Sequence, residues 1–491
     1  MSIAISPERS RFYLKMFRIR FRLLTFFFIC CALCHYGYSA TLTAASCSQK
    51  DVQAVVNAAS NGDTVLIPSG SCTWTSAVYL NGASCKAMTV QGAGPASTII
   101  TANISSGSYT NALMVDGCSS LPLVQFTNFR IDNQNTGAGG LISFNYSPDT
   151  VFRIDHMYFG GTTKNRALSI NSHSYGVIDH NTFDGDGWIV KDTIASDAHI
   201  GDNSWNQEMS YGTSNAVFFE DNTFKYTADT DMDCAEGGRV VFRHNTESGT
   251  TLGNHGYDSV DNSCVELDVY SNTFNGNGTG QIGIQSRGGS GVWYSNLIQG
   301  TYVSGMRIGI TTYRASASYS GPHMPFCNGT NPNDGNAPGQ NGWPCYEQVG
   351  RGSGPSNGGL ISYPLYEWDN CKTSLGCTGT SDQVLTSVYS FGPGPPDFTS
   401  ADILKNRDFY DSQSSCGSPQ TGGVCIGVLS SRASSCTPGV AYWATDQGPE
   451  GTLYQCGNGN SWNEFYTPYP YPHPLQGGGP QAPSGLVANV N

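Results

Sequence analysis

One short pattern recurs six times in the middle of the chain, and it restricts the folds that this sequence can adopt. Each copy is a short alternating apolar strand, a turn residue that is usually asparagine, and a further apolar residue. Successive copies are 24, 41, 23, 27 and 24 residues apart, and the longest step contains an insertion, Trp188–Tyr211. The aligned positions are Met157, Asn181, Asn222, Asn245, Asn272 and Asn296.

A unit of about 24 residues with strand patterning and no helix is typical of one coil of a parallel β-solenoid. Stacked coils pair their strands along the axis and bury their inward residues, so that no coil is stable alone. The leucine framework of leucine-rich repeats is absent, and a propeller blade would need about 40 residues and four strands. We therefore predict an all-β solenoid.

Turn residues of the repeats predict ladders along the solenoid. Asparagine at a fixed turn position tolerates the left-handed backbone and can hydrogen-bond to its equivalents in neighbouring coils. His156, His180 and His244 recur at an equivalent position and predict a second ladder. Arg243 is predicted to lie on a solvated strand face.

The residues before the repeats predict a helix that caps the open end of the solenoid. Ser48–Asp51 has the pattern of a capping box. Apolar residues at i, i+3, i+4 and i+7 from Val52 give the helix one apolar face that can close the first coil. A turn and the strand Thr64–Ile67 follow, and Pro68 ends that strand.

A basic and then apolar stretch opens the sequence. Six Arg and Lys residues between Arg9 and Arg22 precede the 11-residue run Leu23–Leu33, and small residues follow it. This is the pattern of a secretory signal peptide, and the run is too short for a stable membrane span. We predict a signal peptide at residues 1–40, with a retained signal anchor as the alternative. The mature protein is then expected to be secreted (extracellular, periplasmic or at the cell surface), with no membrane segment.

Charge and cysteine content limit the partners and the compartment. Without residues 1–40, which hold six basic and one acidic residue, 18 basic and 36 acidic residues remain and the net charge is −18. Nucleic-acid binders have basic surfaces, so no nucleic-acid partner is predicted. The 17 cysteines fall to 14, and an even number in an exported chain predicts disulfides. A zinc cluster is the alternative, but paired CxxC units are absent.

The run Asp51–Pro68 and the N-T-F coils resemble the secreted right-handed parallel β-helix proteins of the pectate-lyase-like superfamily over roughly residues 45–310. The resemblance implies a right-handed parallel β-helix with an N-terminal cap over 41–310. After it we expect disulfide-rich final coils and long loops over 311–475 and a flexible tail over 476–491. That superfamily includes lyases, hydrolases and non-catalytic surface proteins, so this fold does not determine the function.

Three neighbouring coils carry titratable and polar side chains shortly before their aligned strands. They are Asp229, Asp231, Asp233, Glu236 and Arg239 in the first coil, His255, Asp258 and Asp261 in the second, and Gln285 and Arg287 in the third. Asp233, Asp258, Gln285 and Arg287 lie 12, 14, 11 and 9 residues before the aligned asparagine of their coils. Coils of equal shape would bring these groups to one face. Carboxylates, a histidine and an arginine in one groove suit general acid–base cleavage of a glycosidic bond.

The order of three short motifs is similar in part to that of the polygalacturonases, a family of β-helix hydrolases. The motifs are Met232-Asp-Cys234, Asn254-His-Gly256 and Ser286-Arg-Gly288, and the steps from Asp233 to His255 and from His255 to Arg287 are 22 and 32 residues. The resemblance implies Asp233 as the proton donor, His255 as a positioning residue and Arg287 as a contact to a substrate carboxylate or hydroxyl.

The motifs also depart from the polygalacturonase pattern. Met232 replaces the first residue of an Asp pair, Gly289 replaces a lysine, and the upstream Asn-Thr-Asp is missing, with Asn206-Gln-Glu208 as the nearest candidate. An inverting hydrolase needs a second carboxylate as base. We predict Asp258 or Asp231 for that role, with Glu208 as a further candidate, and Arg239 and Gln285 as substrate contacts.

Two other functions remain open from the sequence. A polysaccharide lyase needs a cation or arginine at the uronate carboxylate, and Asp229, Asp231 and Asp233 alternate as a possible Ca²⁺ site. A non-catalytic glycan-binding or structural surface protein would also suit a disulfide-rich solenoid. Hydrolysis requires no cofactor. In every case we expect the protein to be a monomer, with a polysaccharide as its partner.

Overall fold

The computed structural model describes residues 39–105, 111–135, 140–162, 166–185, 187–191, 205, 207–225, 233–249, 251–256, 263–311, 347–353, 361–389 and 403–477. For residues 187–191 and 233 it describes the backbone only. Residues 1–38 of the predicted signal peptide fall outside these residues, as does all but the start of the predicted tail.

The predicted cap is present as helix α1 (Gln49–Ala58). The Ser48 hydroxyl accepts a hydrogen bond from the backbone N–H of Asp51, which begins the helix as the sequence predicts. Val52 and Val56 are fully buried against the first coil, and Ala59, just after the helix, is buried as well. The helix therefore excludes water from the end of the solenoid core.

Short strands are the main regular secondary structure of the described chain. In chain order they are β1 (Thr41–Thr43), β2 (Thr64–Ile67), β3 (Gly70–Trp74), β4 (Val78–Leu80), β5 (Met88–Gly92), β6 (Thr98–Ala102), β7 (Leu113–Asp116), β8 (Val124–Thr127), β9 (Arg130–Asn133), β10 (Ile142–Asn145), β11 (Val151–Asp155), β12 (Tyr158–Gly161), β13 (Arg166–Asn171), β14 (Tyr175–Asp179), β15 (Thr182–Phe183), β16 (Gly187–Lys191), β17 (Val217–Glu220), β18 (Thr223–Lys225), β19 (Asp233–Ala235), β20 (Arg239–Arg243), β21 (Thr246–Ser248), β22 (Glu266–Tyr270), β23 (Thr273–Asn277), β24 (Ile282–Ser286), β25 (Val292–Tyr294), β26 (Leu297–Thr301), β27 (Met306–Ile310), β28 (Arg351–Gly352), β29 (Ile361–Ser362), β30 (Leu365–Trp368), β31 (Ser387–Val388), β32 (Phe409–Tyr410), β33 (Val424–Gly427), β34 (Ala441–Ala444), β35 (Thr452–Cys456) and β36 (Trp462–Tyr466). Short 3₁₀ helices occupy Gly82–Ser84, Leu429–Ser431 and Pro474–Gly477.

Parallel sheets run along the axis, and the chain visits them in turn to make a parallel β-solenoid of about eight turns. Sheet 1 has twelve strands in the order β1-β2-β5-β8-β11-β14-β17-β20-β22-β25-β30-β32, and sheet 2 has nine, β26-β23-β21-β18-β15-β12-β9-β6-β3. Sheet 3 has six, β19-β16-β13-β10-β7-β4, and sheet 4 has three, β24-β27-β31. Isolated bridges through Leu252 and Asn254 connect sheets 3 and 4. The predicted all-β solenoid is confirmed.

The aligned asparagines form the predicted ladder. The Asn245 side chain accepts a hydrogen bond from the backbone N–H of Asn222, and that of Asn272 accepts one from Asn245. Each of these rungs is buried and also donates its amide to backbone carbonyls of the neighbouring coil. Asn370 extends the ladder by one coil, across an insertion that hides it from the sequence repeat.

Substituting one rung of the ladder, Asn272→Leu, is expected to lower the free energy of unfolding. The side chain donates to the carbonyls of Phe242 and Tyr270 and accepts from Asn245, and leucine of similar size would leave those buried groups unpaired. A buried unpaired group costs about 1–3 kcal/mol, so we expect a loss of at least about 2 kcal/mol in urea unfolding. Asn215→Leu, at an exposed asparagine, is the matched control and should change it by less than about 0.5 kcal/mol. An equal effect of the two substitutions would contradict the ladder's role.

Histidines precede the ladder at the left-handed turn position. His156 and His180 stack with ring centroids 5.1 Å apart, and their Nδ1 atoms lie 2.8 and 3.0 Å from the carboxylates of Asp155 and Asp179. The predicted histidine ladder is therefore confirmed for this pair only. His244 differs, because its ring stacks on Tyr471 near the end of the chain at 3.6 Å.

The outer face of sheet 1 is covered by the C-terminal part of the chain. Sheet 5 consists of the strands β33–β36 and packs on a column of stacked rings, Tyr270, Tyr294 and Trp368, at centroid distances of 4.6 and 4.5 Å. Trp443 of sheet 5 lies 5.0 Å from Tyr294 and 4.9 Å from Trp368. A large second apolar core therefore forms outside the solenoid.

The segment after sheet 5, residues 467–477, is called the C-terminal strap here because it runs back across sheet 1. Arg243 donates to the carbonyls of Tyr469 and Pro470, and Glu220 accepts from the backbone N–H of His473. Arg243 has no exposed side-chain surface. The prediction that Arg243 is solvated is therefore wrong, because the strap covers this strand face.

Six disulfides lie within the described part of the chain. They are Cys47–Cys72, Cys85–Cys118, Cys234–Cys264, Cys371–Cys377, Cys416–Cys425 and Cys436–Cys456. The disulfide prediction is thus confirmed for twelve of the fourteen cysteines, and Cys327 and Cys345 lie outside the described residues. Disulfides of this number are typical of a chain that folds in an oxidising compartment. Within the same residues, no helix has the length and apolar character to cross a membrane.

Candidate active site

Three of the predicted site residues share the face formed by sheets 3 and 4. Bridges pair Cys234 with Asn254 and Leu252 with Ile284, all in parallel. This register brings the backbone of Asp233 level with Gly253 and Gln285, and it brings His255 level with Arg287 two residues further along the strands. Because neighbouring strands are about 4.8 Å apart, the three turns span roughly 10 Å along the solenoid axis. The backbones of Asp233, His255 and Arg287 therefore lie on neighbouring turns.

His255 is fixed at the edge of this face by main-chain hydrogen bonds. Its backbone N–H donates to the carbonyl of Cys234 at 2.8 Å, and its carbonyl accepts from Cys264 at 3.2 Å. Cys234 and Cys264 form a disulfide that is fully buried in the solenoid core. The bond therefore anchors the strand of Asp233 directly to the loop after His255, while the imidazole remains half-buried.

Asn254 holds the Arg287 segment in place. The buried Asn254 amide accepts from the backbone N–H of Arg287 at 2.7 Å and donates to the carbonyl of Gly288 at 3.0 Å. The Asn254 carbonyl accepts from Nε of Arg287 at 2.7 Å, which fixes the direction of the half-buried guanidinium. Asn254 is thus a positioning residue that the sequence reasoning did not identify, because its contacts join residues 33 and 34 positions apart.

Tyr389 closes one end of the face. Its hydroxyl accepts a hydrogen bond from the Gln285 amide at 2.7 Å, and its ring packs over Gly309 in the next turn. Gln285 is only 5 % exposed under this ring. Gln285 therefore reaches a ligand at this face only if Tyr389 moves aside.

The departure from the polygalacturonase motif at Gly289 has a steric cause. Gly289 has a φ of +70°, and a Cβ there would lie 2.0 Å from the Cys264 carbonyl oxygen. A lysine side chain at this position does not fit the fold. Any cation that assists Arg287 must come from another element.

Most of the remaining predicted carboxylates fall outside the described side chains. Asp229, Asp231 and Asp258 lie outside the described residues, and of Asp233 only the backbone is described. The predicted Ca²⁺ site at Asp229, Asp231 and Asp233 therefore falls largely outside them as well. Glu208 is exposed.

Arg239 lies apart from the other predicted site residues. It belongs to sheet 1, where it pairs in register with Glu266, and it is 1 % exposed. Its guanidinium donates to the Gly237 carbonyl at 3.1 Å and to the Ser353 hydroxyl at 3.3 Å. The structure therefore buries Arg239 beneath a loop instead of presenting it to a polymer.

Burial of the acidic partner of Arg239 predicts a pH dependence of stability. Burial raises the pKa of Glu266 from 4.5 to about 7, although Arg239 opposes the shift. Between pH 4.5 and 7 the folded protein keeps the Glu266 proton, whereas the unfolded chain has lost it. The free energy of unfolding is therefore highest below pH 4.5 and falls as the pH rises towards 7. Glu266→Gln should remove this loss, which we expect to be about 3 kcal/mol in urea unfolding between pH 4.5 and 7.5. The exposed substitution Glu464→Gln should leave the pH slope unchanged, and an unchanged slope in Glu266→Gln would contradict the assignment.

No protein-family model matches this chain, and a search of curated proteins finds no similar one. The function is therefore inferred from the residues of the site alone.

Proposed function

We propose that this protein cleaves glycosidic bonds in a polysaccharide that lies along the outer face of sheets 3 and 4. The observation that carries the proposal is the strand register that aligns Asp233, His255 and Arg287 on successive turns. A groove along parallel turns suits an extended polymer, because each turn can meet a further part of the chain. The buried disulfide and the Asn254 amide make the backbone of this face rigid, which favours catalysis by positioned groups.

In the proposed reaction, Asp233 acts as the general acid. Its carboxyl donates a proton to the glycosidic oxygen as the bond from that oxygen to the anomeric carbon breaks. Asp258 or Asp231 takes a proton from water, whose oxygen forms the new bond to the anomeric carbon. His255 and Arg287 hold the sugar hydroxyls by hydrogen bonds, and the Asn254 contact to Nε directs the Arg287 guanidinium. The products are two shorter saccharides, one with a new reducing end.

The charge of the chain favours a neutral substrate. The full sequence has a net charge of −13, and the expected mature chain has −18. A field of this sign opposes the approach of an anionic polymer over long distances. An acidic polysaccharide would need bridging Ca²⁺, which is the condition of the alternative lyase reaction.

A substrate screen tests the proposed reaction class. The purified protein is incubated with neutral and acidic polysaccharides, with and without Ca²⁺, while reducing ends and the ultraviolet absorbance of unsaturated uronate are followed together. Hydrolysis predicts new reducing ends without new absorbance. An increase in absorbance would show β-elimination instead of hydrolysis. If neither signal changes on any substrate, the enzymatic proposal is contradicted and glycan binding alone is favoured.

A further inference from the structure

A polar cavity lies away from sheets 3 and 4, on the outer face of sheet 2. It has a volume of about 340 Å³ and is open to solvent between β9, β12 and β15. Its lining includes Arg130, Asp132, Gln134, Tyr158 and Asp184. We refer to it as the sheet 2 cleft. The turn of β15 directly precedes the turn of β19, which carries Asp233, but the two lie on different sheets.

Strand register explains why a notch opens here. Asp132 pairs with Gly160, and the N–H of Asp184 donates to the Phe159 carbonyl, which brings Asp184 level with Gly160 one turn further on. Two carboxylates thus flank a residue without a side chain, with their Cα atoms roughly 10 Å apart across two strand spacings. A Cβ at Gly160 would lie 2.7 Å from the Tyr158 ring and 3.3 Å from Asp132 Oδ1, so any larger residue would fill the notch.

The side chains around the notch hold one another in fixed positions. Arg130 Nε lies 2.7 Å from Asp132 Oδ1, and its guanidinium carbon lies 4.6 Å from the centre of the Tyr158 ring. The Tyr158 hydroxyl donates to Asp184 Oδ2 at 2.6 Å. Such a chain of contacts pre-organises donors and acceptors before a ligand arrives, which lowers the entropy cost of binding.

The chemistry of the lining points to a ligand rich in hydroxyl groups. A carboxylate accepts hydrogen bonds at two oxygens, and a guanidinium offers five donors, so the cleft presents both kinds of group within a few ångströms. Sugar hydroxyls both donate and accept, and therefore suit such a mixed lining. The Arg130 guanidinium beside Asp132 disfavours a cation, and two carboxylates against one paired arginine disfavour an anion. The volume is at the lower end of the range for small-molecule sites, which suits one or two sugar units.

We propose that the sheet 2 cleft binds a neutral saccharide between Asp132 and Asp184. This site is separate from the proposed active site and does not depend on its activity. It would hold a neutral glycan chain against the solenoid whether or not that chain is cleaved at the Asp233 face.

Binding to the full chain tests the proposal, in an Asp233→Asn background so that any cleavage does not consume the ligand. Calorimetric titrations use hexasaccharides of β-1,4-linked glucose, xylose and mannose, with hexagalacturonate and spermidine as anionic and cationic probes. We expect at least one neutral hexasaccharide to bind, and we expect Asp184→Asn and Gly160→Ala each to weaken it at least tenfold. Asp149→Asn, an exposed carboxylate outside the cleft, should change the affinity by less than twofold.

Several outcomes would overturn the proposal. They are no binding of any neutral hexasaccharide, binding of hexagalacturonate or spermidine alone, and binding that Asp184→Asn and Gly160→Ala leave unchanged. If Gly160→Ala does not fold, Asp132→Asn replaces it, because that substitution preserves the shape of the lining. Absence of cleavage by the wild-type protein, with intact binding at the cleft, would count against the proposed function only, so the two proposals fail separately.

Discussion

Replacing Arg243 by methionine is expected to lower the free energy of unfolding by about 3–5 kcal/mol and to release the C-terminal strap. Arg243 is fully buried and uses all five of its N–H donors. Nε and one Nη–H contact Glu220, and the others reach the Tyr270 hydroxyl and two strap carbonyls, those of Tyr469 and Pro470. Without the guanidinium, the Glu220 carboxylate is buried without its cation.

The strap depends on the same pair from its other side. Glu220 Oε2 accepts from the backbone N–H of His473 and from the side chain of Gln476. Arg243→Met therefore removes two strap contacts directly and weakens two more through Glu220. A strap freed in this way exposes backbone to proteases, because few other hydrogen bonds hold an irregular segment.

Urea unfolding with intact disulfides and limited proteolysis measure the two effects of Arg243→Met. Lys225→Met, at an exposed cation on β18, is the matched control and should change stability by less than about 0.5 kcal/mol. The double variant Arg243→Met/Glu220→Leu should regain much of the loss, because replacing both partners of a buried pair by apolar groups is often neutral. If Arg243→Met lowers the free energy of unfolding by less than about 1 kcal/mol and leaves the C-terminal strap resistant to proteolysis, the Arg243–Glu220 pair does not hold the strap on sheet 1.

The solenoid could be predicted from the sequence because its rules are local and repeat. The asparagine spacing identifies the turn of each coil, and the alternating residues before it identify the strand. Ser48 and the apolar face from Val52 predict helix α1 for the same reason, since capping and 3.6-residue periodicity are properties of short segments. The ladder from Asn181 to Asn296 follows directly from equal coils stacked in register.

The cover over sheet 1 could not be predicted in this way. Arg243 donates to carbonyls 226 and 227 residues further along the chain, and no local pattern encodes such a contact. An arginine on the outward face of a strand is normally solvated, and only the strap reverses that expectation. Phe465, Tyr466 and Tyr469 also pack into the core over sheet 1, and these contacts join segments that are far apart in the sequence.

The order of the motifs places Asp233, His255 and Arg287 on successive turns, and bridges bring the backbones of those turns together. Their register could not be counted from the sequence, because the steps of 22 and 32 residues between them are unequal. Sequence order also grouped Arg239 with them, although Arg239 lies on sheet 1, because a count of residues does not determine where the chain turns from one sheet to the next. Tyr389 covers Gln285 from 104 residues away, which only the folded chain reveals.

The measurement that tests the central proposal most directly is the turnover of Asp233→Asn beside wild type on the substrate identified by the screen. Asparagine preserves the size of the side chain but cannot donate the proton, and general acid catalysis contributes about 10²–10⁴-fold to rate. We therefore expect kcat to fall at least 100-fold, with the alkaline limb of the pH profile lost and the urea midpoint unchanged. Asp149→Asn should keep wild-type turnover. If Asp233→Asn retains more than half of the wild-type kcat, the acid is elsewhere and the proposed active site is wrong.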